Sequence, residues 1–407
     1  MRLLKVAVVA VMGAPVFAVA RSATAQLQPV TRAEAVARAV ARGPRLAIAR
    51  ADSSAAGAQL SIARQFENPV LGLSYSKSVP QEHFALDVPL DFPWLRRARI
   101  GSAQAGLGAA TYRFAFLREA VAFDADTTYT RALAAAARAR LTMRTALDAD
   151  SLLILARVRR DAGDASELDV QLASVNAGQL ANAAAMDSLD AITAVLAVQM
   201  VMGQSAVAPA IVLVDSLEMS TASRPSEGGT PLLIAAAEED ARSAELALTL
   251  ERRRLFPTAA LSIGYETKDP TGSETGTLPT IGLALPLPLF NQNSAAVQLA
   301  QAQRDRAQAE LSLARIEVNE ALSRALRASV VALQRSSRSG RLLDAANSVA
   351  TLSLLAYREG AQALPSVLEA QRTAREAQAQ YVEDVAAARN TAALVRLLTL
   401  TANRTDK

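Results

Sequence analysis

The chain is written twice, and that duplication limits its fold more than any other feature. Pro44 opens a helical stretch that closes near Asn68-Pro69, and Pro231 opens one of almost equal length that closes near Phe256-Pro257. Each leads into a segment alternating apolar with small or polar residues: Val70-Leu71-Gly72-Leu73-Ser74-Tyr75-Ser76 first, Leu261-Ser262-Ile263-Gly264-Tyr265-Glu266 second. Period two of this kind predicts strand. Turn-rich breaks follow at Ser78-Val79-Pro80-Gln81 and Lys268-Asp269-Pro270-Thr271-Gly272-Ser273. Return segments, Phe84-Ala85-Leu86-Asp87-Val88 and Ile281-Gly282-Leu283-Ala284-Leu285, then run into Pro89 and Pro286, where ladder pairing must stop. Two β-hairpins are expected, at about 70–89 and 258–287.

Proline is then absent from Leu95 to Ala208 and from Leu289 to Leu364, which leaves room for very long helices. One running from Leu95 to about Arg160 would reach roughly 100 Å. Each interval is broken once, at Asp161-Ala162-Gly163-Asp164 and at Arg358-Glu359-Gly360-Ala361. Glycine is a natural helix stop, and Ser166 or Pro365 can start an antiparallel return helix. The resulting plan is a first repeat at 26–203 and a second at 230–403, each reading helix, hairpin, long helix, return helix. Residues 204–229, loop-like apart from Ile211-Val212-Leu213-Val214, would link them, and 404–407 form a short tail.

Four strands cannot close a barrel, since about eight is the minimum. Their predicted faces are apolar on one side (Leu71, Leu73, Tyr75, Phe84, Leu86, Val88, Leu261, Ile263, Tyr265, Ile281, Leu283, Leu285) and small or polar on the other. That alternation fits a membrane barrel or a soluble sheet resting on a core. In lipid, an open sheet would leave unpaired backbone on both edges, so a membrane location requires oligomers. Three copies would supply twelve strands in a cyclic ring.

Composition narrows the classes further. Apolar residues make up 51% of the 407, yet aromatics only 4%, which suits closely packed alanine-rich helices better than a bulky globular core. Residues 1–25 have the form of a secretory signal, with Arg2 and Lys5, an apolar stretch to Ala20, and the small-x-small site Ala23-Thr24-Ala25. Beyond it no unbroken run of about 18 apolar residues appears. Cysteine is absent, so disulfides and thiolate chemistry are excluded. His83 is the only histidine, and neither a zinc-binding helix motif nor a phosphate-binding glycine loop is present. No enzyme, cofactor or bound metal is therefore expected. The 43 basic and 39 acidic residues alternate along helical stretches, a pattern of solvated faces and not of a nucleic-acid interface. A periplasmic or surface coiled-coil scaffold without channel activity is the alternative from another class.

From Val30-Thr31-Arg32-Ala33-Glu34-Ala35 to Leu397-Leu398 the mature chain resembles the TolC-like outer membrane efflux family. The residues that carry the likeness are Pro286-Leu287-Pro288-Leu289-Phe290-Asn291-Gln292-Asn293, Tyr357-Arg358-Glu359-Gly360, Leu368-Glu369-Ala370-Gln371-Arg372-Thr373, and Gly163-Asp164-Ala165-Ser166-Glu167-Leu168-Asp169-Val170 in the first repeat. The resemblance implies a mainly α fold with a small β part. Its duplicated long-helix hairpins form an α-barrel, and its four transmembrane strands per protomer contribute to a trimeric twelve-stranded β-barrel. It implies an outer-membrane exit duct, a homotrimer in outer-membrane lipid, docked to a periplasmic adaptor protein and an inner-membrane pump.

The resemblance further places Asp169, Glu369 and Tyr357 at the periplasmic aperture, and Gly163, Asp164, Gly360 and Pro365 in tip turns that meet the adaptor. Two positions depart from the family: Ser366 stands where a second aperture acid can occur, and Gln362 where an arginine can pair with the position of Asp169. The acids equally suit helix starts, where the dipole favours them. Phe92, Trp94 and Phe290, where strand meets helix, suit either a membrane-boundary belt or local packing.

Overall fold

The computed structural model describes residues 27–78, 80–204, 207–218, 229–254, 259–267, 277–285 and 287–402. The signal segment, the second hairpin's turn and the C-terminal tail lie outside these residues.

In chain order the elements are β1 (Gln28–Val30), α1 (Arg32–Arg42), α2 (Pro44–Arg64), β2 (Val70–Tyr75), β3 (Glu82–Pro89), α3 (Pro93–Asp161), α4 (Glu167–Val201), β4 (Ile211–Leu213), α5 (Leu232–Arg253), β5 (Ala260–Thr267), β6 (Leu278–Ala284), α6 (Ser294–Arg358) and α7 (Leu364–Leu398). The duplication reappears as matched lengths. Helices α3 and α6 have 69 and 65 residues, α4 and α7 have 35 each, and α2 and α5 have 21 and 22. At 1.5 Å per residue, α3 is about 100 Å long.

Helix α3 is the spine, packed on α4, α2, α5, α7 and α1, while α6 packs on α7 and α5. Alanine makes this possible. Ala98, Ala105, Ala109, Ala125, Ala132, Ala149 and Ala156 are buried along α3, so neighbouring helix axes approach closely without bulky side chains between them. The core is consequently split into small clusters strung along the bundle. One gathers Val30, Tyr129, Leu133, Val198, Met202 and Ile211, and another gathers Leu152, Ala156, Val170, Tyr357, Leu364 and Val367.

Two findings differ from the sequence expectations. The stretch 211–213 is a strand, and it pairs in parallel with β1 (Gln28 to Ile211, Val30 to Leu213). The segment between the repeats is thereby stitched to the start of the first. Helix α4 is long and apolar enough to cross a membrane by length and composition, although most of that stretch is exposed. Scattered polar residues such as Gln171, Asn176 and Gln179 interrupt any unbroken apolar run, yet its alanines, leucines and valines keep the average apolar.

Candidate functional site

The four hairpin strands form one antiparallel sheet in the order β2-β3-β5-β6. Residues directly opposite each other in such a ladder share a face, so the register tests the predicted faces. One row runs Leu71, Leu86, Ile263, Ile281 and the next Leu73, Phe84, Tyr265, Pro279. The alternate rows are Gly72, Ala85, Gly264, Thr280 and Ser74, His83, Glu266, Leu278. Apart from Val70 and Leu278, the large apolar residues of all four strands therefore fall on the same side. Phe84 and Tyr265 stack there at 4.6 Å, while Leu71, Leu73, Ile263, Ile281 and Leu283 stand exposed. On the opposite face His83 Nδ1 and Glu266 Oε1 are 3.2 Å apart. Among the described residues, no strand pairs with the outer edges of β2 and β6.

Where sheet meets helices, arginines of α3 hold the end of α2. Arg96 Nη2 donates to the Arg64 carbonyl at 2.7 Å and Arg99 Nε to the Ala63 carbonyl at 3.0 Å, satisfying carbonyls that a helix end leaves unpaired. Both guanidinium groups also bond Asp91, at 3.0 and 2.7 Å. The second repeat does the same with different chemistry: Asn293, in the left-handed region at φ 58, donates to the Glu251 carbonyl at 2.9 Å. Phe92 and Trp94 stack at 4.7 Å, and Trp94 is half exposed. Phe290 is fully exposed and stacks on neither.

At the far end both helical turns have one geometry. Gly163 and Gly360 lie at φ 85 and 79, a region that costs other residues 1–2 kcal/mol or so. The Asp164 N–H reaches back to the Arg159 carbonyl at 2.8 Å, and the Ala361 N–H to the Ala356 carbonyl at 2.8 Å, so each turn closes as a Schellman motif. The return helices then start differently. Ser166 and Asp169 form a reciprocal capping box, in which the Ser166 N–H donates to Asp169 Oδ2 at 3.0 Å and the Asp169 N–H to Ser166 Oγ at 3.2 Å. The second turn has Ala363 as cap, Pro365 in the first helical turn, and Ser366 at the position matching Asp169.

Asp169 is thus bound into its own helix start. Glu369 is exposed and paired with Arg372 at 2.8 Å, which holds its carboxyl below the usual value. It lines a groove of about 610 Å³ with Pro365 and Gln362. Tyr357 is buried at 3% exposure, and its hydroxyl has no hydrogen-bond partner among the described residues. Burial pushes its phenol up, and nearby Asp169 adds to this while Arg159 opposes it.

Sequence reasoning missed Arg159. Its guanidinium lies 4.7 Å over the Tyr357 ring, donates to the Tyr357 carbonyl, and reaches the Asp164 carbonyl at 3.4 Å. One side chain on α3 therefore ties both turns together. Its place one turn before Gly163 was the sole available signal, because Tyr357, the partner that distinguishes it, is nearly two hundred residues away.

The middle of the bundle has a polar cluster that was equally invisible. The Arg32 backbone N–H donates to Asp215 Oδ2 at 2.6 Å, which keeps that carboxyl below its ordinary value. The Arg32 guanidinium bonds Asp126 and Thr130 Oγ1 and sits 5.2 Å over the Tyr129 ring. Tyr129 is fully buried and donates to the Val30 carbonyl at 2.9 Å. Burial raises its phenol to about 12.

Comparison with known proteins agrees with this architecture. Residues 231–403 match the outer membrane efflux protein family. The nickel-cobalt-cadmium resistance protein NccC of Alcaligenes xylosoxydans xylosoxydans is 27% identical over 297 residues, a match spanning 69% of this chain and 66% of that relative. The outer membrane protein VceC of Vibrio cholerae superposes with a TM-score of 0.73 at 18% identity, over 91% of this chain and 96% of that one. The outer membrane channel CmeC of Campylobacter jejuni does so at 0.75 and 15%, over 90% and 85%.

Proposed function

The chain belongs to the TolC-like outer membrane efflux family, and from that premise we propose that it is the outer-membrane channel of a tripartite efflux or type I secretion system. In this reading three copies close a twelve-stranded barrel in lipid, and the long helices form a periplasmic tunnel. The observation that supports it most is the sheet: four strands with one continuous apolar face and two open edges. Such a sheet is unstable alone in lipid, and ring closure by a second and third copy supplies the missing edges. Exposed apolar side chains on the helices, including Leu147, Ile154 and Val158 on α3, gain cover from the same neighbours.

Phe92, Trp94 and Phe290 anchor the barrel's periplasmic rim. The tip narrows the tube around Asp169, Tyr357 and Glu369, and Gly163, Asp164, Gly360 and Pro365 offer the adaptor its docking turns. The duct is passive, with energy and cargo selection residing in the inner-membrane pump. The relation to NccC makes nickel, cobalt and cadmium the first cargoes to test.

Membrane fractionation followed by gel electrophoresis without boiling tests the assignment. A heat-sensitive trimer in the outer-membrane fraction, conducting ions in planar bilayers, is the expected result. A water-soluble monomer or a non-conducting coiled-coil assembly would replace the channel with the scaffold alternative.

A further inference from the structure

Where α1, α3 and the end of α7 meet, a cavity of about 620 Å³ opens with mostly apolar walls that include Val36, Phe123 and Leu397. Three arginines also line it, Arg32, Arg389 and Arg396, against two acids, Glu119 and Asp126. Glu119 is engaged by Arg118 at 3.0 Å. Asp126 is shared, bonding Arg32 and lying 3.5 Å from Arg396. Arg389 has no carboxylate partner among the described residues, and its one hydrogen bond is a long contact of 3.5 Å to the Glu218 carbonyl. A second signal comes from Arg32: all its side-chain bonds use Nη1, and Nη2 is buried without any partner among the described residues.

Unsatisfied buried donors of a charged group cost more than neutral ones, and guanidinium forks match planar or tetrahedral oxyanions. We propose that this cavity is a binding site for an oxyanion carried on an apolar stem, with Arg389 and Arg32 Nη2 receiving the charged head and the Val36, Phe123 and Leu397 wall receiving the stem. Carboxylates and phosphates both meet that description. The group can come from a free amphiphilic anion or from an acidic side chain of a neighbouring copy. Desolvation and the like charges of Arg32 and Arg396 lower the Arg389 pKa, which is the field an anion would relieve. The cavity lies within one protomer's own helices, and only its occupation by a neighbouring copy rests on the oligomer of the channel reading.

The test uses the full-length protein in its native oligomeric state, held in amphipol, with octanoate as anionic probe and octanol as its neutral counterpart. Octanoate is expected to raise the thermal midpoint saturably, by about 1–2 °C, with octanol inactive. Arg389→Gln should abolish the shift and Arg389→Lys retain part of it. Arg396→Gln, at an exposed position, is a second variant whose folding is not at risk and should weaken the response. If octanoate is inert but Arg389→Gln lowers the temperature at which the oligomer dissociates, the oxyanion belongs to a neighbouring copy. The proposal is overturned if octanol stabilises as well as octanoate, or if both glutamine variants match the parent in both readouts.

Discussion

Replacing Gly264 by alanine should cripple assembly while the same change at Gly282 should not. Gly264 lies in β5 between Ala85 on β3 and Thr280 on β6, and β3 to β5 is the seam joining the two repeats' hairpins. A Cβ at 264 would overlap the Phe84 carbonyl oxygen, lie 2.8 Å from Thr280 Oγ1 and 3.2 Å from Ala85 Cα. The hydroxyl can rotate away, but the two backbone atoms cannot move without opening the ladder. At Gly282 the nearest atom is Ser262 Cβ at 3.7 Å, an ordinary contact. Overpacking of this kind costs about 1–3 kcal/mol per protomer, hence about 3–9 kcal/mol over three symmetry copies. Even the lower figure is about a hundredfold in the assembly equilibrium. The assay is the dissociation temperature of the oligomer band in outer-membrane extracts. Equal temperatures for Gly264→Ala, Gly282→Ala and the parent would refute the reasoning.

At the tip, Arg159→Ala should remove charge-assisted bonds worth about 1.5–3 kcal/mol and raise leak conductance in planar bilayers. Tyr357→Phe, which deletes a hydroxyl without a partner among the described residues, should leave unfolding stability unchanged to within about 0.5 kcal/mol in thermal melts. In the polar cluster at the middle of the bundle, Tyr129 has a phenol raised to about 12 from an ordinary value of about 10. The neutral form's contribution is therefore complete below about pH 10 and lost as pH rises toward about 12. Thermal melts across that window should show the parent losing its advantage over Tyr129→Phe. Trp94 is the chain's only tryptophan, so its fluorescence in vesicles should be quenched by brominated acyl chains more than by aqueous acrylamide, and the reverse would remove it from the membrane boundary.

Much of the fold was legible because it depends on period and punctuation. Strand alternation in 70–76 and 261–266 placed the hairpins within a few residues, and Gly163 and Gly360 marked the turns because only glycine takes φ near +80° cheaply. The β1 to β4 pairing was not legible, since three-residue strands carry no periodic signal and their register is set by contacts far apart in sequence. Arg159 and Arg32 escaped for a related reason. Arginine near a helix end or start is common, and what distinguishes these two is which backbone carbonyl or carboxylate the tertiary fold delivers to them. Asp169 lies between the two cases: the sequence offered Ser166 as a helix start and Asp169 as an acid favoured by the dipole, and the structure adds the reciprocal capping box between them.

The central claim is that β2 of one copy pairs with β6 of the next. The chain has no cysteine, so introduced thiols report without background. Leu73→Cys on β2, combined in turn with Ile281→Cys or Leu283→Cys on β6, should give covalent dimers and trimers on oxidation in the outer membrane, with neither single variant doing so. Monomer alone across a scan of both strands would contradict ring closure, and with it the barrel.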